Sequence, residues 1–152
     1  MKHSAADATF VTKATQGGMA EIELGRLAQQ QASNEKVKQF GRQMETDHSV
    51  ANDQLTSLAT SKGMTIPKSV DPQSQATKGR LSKLSGAAFD RAYLQDMVQD
   101  HEQDIAEFQK EASSGTDPDI KNFASQTLPT LQHHLQMAQE ALNELNKSTA
   151  QR

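Results

Sequence analysis

Apolar and small residues recur along the chain at the three- and four-residue steps of an α-helix in four long stretches, and no stretch alternates with the two-residue step of a strand. The first runs from about Asp7 to Ser33 and carries Phe10, Ala14, Gly17, Leu24 and Ala28 on one face. Asn34 is placed to cap the second, whose face holds Val37, Phe40, Met44, Ala51, Leu55 and Leu58, and Lys62-Gly63 supplies the glycine expected just past a helix end. The third starts near Ser85-Gly86, repeats at Phe89, Tyr93, Met97, Ile105, Phe108 and Ala112, and stops at Ser113-Ser114-Gly115. Asp117-Pro118, a capping residue followed by proline at the first helical position, opens the fourth, with Ile120, Phe123, Thr127, Leu131, Ala138, Leu142 and Leu145 facing inward. Pro129 falls inside it and deprives the Ser125 carbonyl of its usual donor, which predicts a kink.

Between the second and third helices the pattern dissolves. Pro67 and Asp71-Pro72 punctuate a polar stretch from Met64 to Ser85, which predicts a long connection with a short helical turn at about Ala76 to Leu84. Two short connections around one long one imply an all-α, four-helix bundle built from two hairpins. The halves echo each other: Val37-Lys38-Gln39-Phe40 is similar to Ile120-Lys121-Asn122-Phe123, and Phe10 is spaced from Gln16 as Phe89 is from Gln95. We expect the domain to span 7–146, between a start at 1–6 that is disordered or left from expression and a disordered tail at 147–152.

Composition agrees with helices and narrows the function. Apolar residues make up 34% and aromatics 4%, too few for a β-sandwich. The net charge is −3 and no Lys/Arg cluster is present to track a phosphate backbone, so a nucleic-acid partner is not expected. Without cysteine, neither disulfides nor thiolate ligands are available. No apolar run reaches bilayer-spanning length, which predicts a soluble protein, and no signal peptide is visible after Met1.

The candidate chemistry lies on the apolar faces. Met44-Glu45-Thr46-Asp47-His48 and Met97-Val98-Gln99-Asp100-His101 share the form Met-x-x-Asp-His, in which Met and His stand four apart on one helix face. His48 continues the series of Phe40 and Met44, His101 that of Tyr93 and Met97, and His134 that of Thr127 and Leu131, whereas His133 points about a quarter turn away. Glu21 falls in the inward series of the first helix. Measured from the turns, Glu21 and His48 differ in level by roughly 4 Å and His101 and His134 by roughly 7 Å, so four helices offer Glu21, His48, His101 and His134 to one interior layer. Imidazoles and a carboxylate in an apolar layer are costly unless paired, and a divalent cation resolves that cost. Asp47 and Asp100 are expected to accept from imidazole N–H groups or to join the ligands. Met44 and Met97, with Met19 and Met137 near the same level, are core residues whose thioethers also suit copper(I). Glu23 and Glu45 are expected to face solvent.

These residues carry a family resemblance. The runs Gly17-Gly18-Met19-Ala20-Glu21-Ile22, Phe40-x-x-x-Met44-x-x-Asp47-His48, Phe89-Asp90-x-x-Tyr93-Leu94 and Leu128-Pro129-x-Leu131-x-x-His134-Leu135 resemble, over about Asp7 to Leu145, a bacterial family of exported domains of unknown function in the ferritin-like superfamily. The resemblance implies a ferritin-like bundle whose middle connection is a crossover, so that the second and third helices run parallel, and a periplasmic or envelope location. It implies no activity. Ferritin-type di-iron proteins use a Glu on each of two helices and Glu-x-x-His on each of the other two. Here Glu45-x-x-His48 is present, but Leu131 stands where the fourth helix would carry the second Glu, and the third helix offers His101. A di-iron oxidase is therefore disfavoured and an enzyme is not the first expectation. A mononuclear site for Zn, Cu or Fe, serving metal buffering or envelope stress protection, fits better. The alternative is a metal-free structural or interaction bundle with a buried His/acid layer. A homo-oligomer is compatible with either.

Overall fold

The computed structural model describes residues 3–150, all-helical apart from turns and connections, with side chains described to Lys147. Four long helices, α1 (Ala5–Gln31), α2 (Glu35–Ser61), α4 (Gly86–Ser114) and α5 (Pro118–Ala150), form the bundle, and a short α3 (Pro72–Ser82) lies in the long connection. Helix α1 begins before the expected boundary, because Ser4 and Asp7 form a reciprocal capping box. Ser4 to Ala6, within the start set apart at 1–6, thus belong to the cap and first turn of α1, with Met1 and Lys2 outside the described residues. The expected tail at 147–152 is likewise helical as far as Ala150, and Gln151 and Arg152 lie outside the described residues. Asn34 caps α2 through Lys36 N and Val37 N as its position predicts, and Gly63 takes a left-handed φ of 72° just beyond that helix.

The short helix is longer than the expected turn at Ala76 to Leu84 and starts earlier. Asp71 caps it by accepting from Ser74 N, with Pro72 in the first turn, the same device that opens α5, where Asp117 accepts from Asp119 N and Ile120 N. Pro129 sits within the unbroken span of α5.

Helix order around the bundle follows from which ends meet. At one pole the α1–α2 turn touches the start of α4, where buried Asp90 accepts from Ser33 N, Ser33 Oγ and Asn34 N. At the other pole the start of α1 touches the α4–α5 turn, where buried Asp7 accepts from Thr116 N and Asp117 N. Helices α1 and α4 are therefore antiparallel, and α2 and α4 parallel. The connection crosses the length of the bundle from Lys62, which pairs with Asp117 at 3.0 Å, to Leu84, whose carbonyl accepts from Gln31 Nε2 at 2.8 Å.

Within the first hairpin the backbones of α1 and α2 touch. A Cβ on Gly25 would stand 2.4 Å from the Gly41 carbonyl oxygen, and one on Gly41 would stand 2.7 Å from that of Gly25, so any larger residue would force the helices apart. The core is split in two. One cluster gathers Leu24, Phe40, Met44, Phe89, Tyr93 and Met97 near the Asp90 pole, and another gathers Phe10, Leu55, Phe108, Ile120, Phe123 and Leu131 near the Asp7 pole. Each fully buried aromatic or aliphatic side chain contributes on the order of 2 kcal/mol. Between the clusters lies a polar layer.

Candidate metal centre

His48 from α2, His101 from α4 and His134 from α5 converge in that layer. Each offers a ring nitrogen within 4.8 Å of the other two, and the ring centroids stand 5.4 to 5.8 Å apart. His48 is 7% exposed and the other two are fully buried. The sequence places them there simply: each occupies an inward position between a residue of one apolar cluster and a residue of the other, as His48 does between Met44 and Leu55.

Hydrogen bonds engage one nitrogen on each of two rings. His101 donates Nδ1–H to the Met97 carbonyl at 2.9 Å, one turn back on its own helix. His134 Nε2 bonds Asp47 Oδ2 at 2.7 Å across the α2–α5 seam. The remaining nitrogens, His101 Nε2 and His134 Nδ1, have no partner, and neither has His48 Nε2. Burial, followed by the neighbouring imidazoles, holds His48 well below its ordinary pKa; the same causes bring His101 down to about 4, and burial lowers His134 despite Asp47. All three rings are therefore neutral at neutral pH, with lone pairs available. A tetrahedral ion with metal–nitrogen bonds near 2.1 Å needs nitrogens roughly 3.4 Å apart, so the rings, whose nitrogens lie within 4.8 Å of one another, would draw together on an ion. Three imidazoles with one position open suit Zn, Cu or Fe.

The other expected residues are placed differently. Asp47 accepts from an imidazole as expected, though from His134 rather than its neighbour His48. Glu21 is buried at the level of the layer, but no oxygen of it lies among the three nitrogens; it faces α4 and donates a hydrogen bond to Asp100. Asp100 is thus turned to Glu21 rather than to a ring. Burial and then the charges of Asp100 and Asp104 raise Glu21 well above the carboxyl range; burial and Asp96 raise Asp100 to about 6, and burial and Asp100 raise Asp104 to about 7. Asp104 was not among the expected site residues, although its four-residue spacing from Asp100 puts both on one face of α4. Among the described residues no Lys, Arg or His lies within 4.0 Å of these three carboxyls. Met44 and Met97 are fully buried in the apolar cluster, one turn before His48 and His101, and Met19 and Met137 are partly buried. Glu45 pairs with Arg26 at 2.6 Å and Glu23 with Lys78 at 3.6 Å, so neither belongs to the layer, and His133 is exposed.

Fold and layer together define an all-helical bundle with a buried three-histidine cluster and an adjacent acidic group. Residues 1–141 match the family described as Domain of unknown function (DUF4142), and the chain belongs to it. Two solved structures share the fold. A DUF305 fragment from Deinococcus radiodurans superposes with a TM-score of 0.84 at 15% identity, covering 95% of this chain and 99% of its own. A DUF305 protein from Streptomyces coelicolor, inferred to be secreted, superposes with a TM-score of 0.79 at 16% identity, covering 93% and 92%. No curated protein matches the chain. Among the described residues no helix is long and apolar enough to cross a membrane.

Proposed function

We propose that this protein binds one transition-metal ion, Zn, Cu or Fe, through His48, His101 and His134, and serves metal buffering or stress protection in the cell envelope. One observation carries the reading: three buried histidines on three helices each bring a ring nitrogen within 4.8 Å of the others, and each ring holds a buried nitrogen without a hydrogen-bond partner, while Asp47 and the Met97 carbonyl engage the second nitrogen of His134 and of His101. Leaving several buried acceptors unpaired costs free energy, and a cation removes that cost. A layer built only to fix helix register would gain more by bonding the rings to one another or to hydroxyls. No carboxylate oxygen joins the three nitrogens among the described residues, which favours holding an ion over two-metal oxygen chemistry. The envelope location rests on the family resemblance and on the inferred secretion of the Streptomyces coelicolor structural relative.

Elemental analysis of untagged protein, with cobalt(II) titration of chelator-treated protein, tests the reading. One ion per chain, intense tetrahedral cobalt bands and a melting point lowered by chelator are expected. Protein that takes up no ion and melts identically with chelator would remove the proposal.

A further inference from the structure

Beyond the triad, two cavities share a wall. The outer one, about 380 Å³, lies between α1 and α4 beneath the start of α3, and carries the carboxyls of Glu21, Asp71, Asp100, Asp104 and Glu107 with Lys13 as the single cationic side chain on its lining. The inner one, about 20 Å³, has room for about one water molecule and is lined by His48, a member of the triad whose Nε2 is buried without a partner. Gly17 and Asp104 belong to both linings. At Gly17 a Cβ would meet only Asp104 Oδ1, at 4.0 Å, whereas at the next residue, Gly18, a Cβ would run into the Asn52 amide. The wall is thus thin at Gly17 and filled at Gly18.

Resting on the metal-binding reading, we infer that the acidic cavity docks a hydrated divalent cation, which then passes between Gly17 and Asp104 to reach His48. The chemistry changes along this path in the order an incoming ion requires. The cavity's ionised carboxylates, Glu21 being the protonated exception, attract the hydrated ion by charge, because a concave wall of one sign concentrates counter-ions. The ion then sheds water in a space that admits about one molecule, and imidazoles, better ligands for a transition metal, replace it. Asp104 faces both steps and is the residue that hands the ion on.

The test is stopped-flow loading of chelator-treated protein with cobalt(II), read by the absorbance of the three-histidine site. In the wild-type chain the loading rate is expected to saturate with cobalt concentration, because docking precedes the passage. Asp104→Asn, which keeps shape and removes charge, is expected to load about tenfold more slowly at low cobalt and low salt, with a rate linear in concentration. Gly17→Leu is expected to load slowly at every concentration. Both variants are expected to reach the wild-type end-point spectrum, which also reports that they are folded. Strictly linear wild-type loading, or wild-type rates in both variants, overturns the route and leaves the metal site standing. Absence of cobalt bands at equilibrium in the wild-type chain overturns the metal reading, and the route falls with it.

Discussion

The imidazoles of His48, His101 and His134 and the carboxyls of Glu21, Asp100 and Asp104 occupy one level of the bundle and respond to burial with opposite results. Desolvation disfavours charge in both sets, so it drives protons off the bases and onto the acids. The bases are thereby left in the form that ligates a metal. Among the acids Glu21 is left protonated, whereas Asp100 at about 6 and Asp104 at about 7 titrate close enough to neutrality to exchange a proton for a cation. Two groups that look alike as buried polar clusters thus differ in protonation, and on the proposed function one would hold an ion and the other exchange it.

The strongest way to break the comparison is to remove a ligand. His101→Ala is expected to weaken cobalt(II) binding by well over 100-fold, whereas Glu21→Ala, on the acid side, is not; isothermal titration of both variants decides it. Proton linkage comes next. The folded-state pKa of His101 is depressed, so its contribution to metal-free stability is present above about pH 6.5 and is lost as pH falls toward 4. The stability difference between wild type and His101→Gln, measured by urea unfolding, should therefore shrink by up to about 3 kcal/mol from pH 7 to pH 4. Asp47→Ala frees the outer nitrogen of His134 and is expected to cost roughly 10- to 100-fold in metal affinity. The acids carry the opposite sign. The raised folded pKa of Asp104 gives stability below about pH 4 that is lost as pH rises through 7, so Asp104→Asn should gain on the wild type between pH 5 and pH 8. Smallest of all, Glu21→Gln imitates a carboxyl already protonated and should move the metal-free melting point at pH 7 by no more than roughly 2 °C. A large drop would mean that Glu21 is ionised.

The three histidines were legible because each continues an inward series of large apolar residues, and helix periodicity fixes such a position to within one face. Glu21 shows where that reasoning stops. Counting residues from a turn gives the level of a side chain; it does not give the neighbour, which for Glu21 is Asp100 and depends on α4 lying beside α1. That adjacency is produced by the crossover, and the crossover is almost mute in sequence. Leu81 is the only buried residue of α3, so no apolar period announces the helix. The Asp71-Pro72 signal was nonetheless the one read correctly at Asp117-Pro118. Its different weight came from the polar residues that follow it. Asp104 was missed for a related reason: a like-charged residue four places from Asp100 reads as a solvated face until a second helix covers it. The echo between the two halves did not extend to the site either, since α1 carries no histidine where α4 carries His101.

Asp7 and Asp90 grip the chain at opposite poles of the α1–α4 seam, each through backbone amides of the turn that faces it. A pair of rods tied at both tips cannot swing open like a door. An ion on the proposed route would enter at the waist instead, where Gly17 on one rod faces Asp104 on the other.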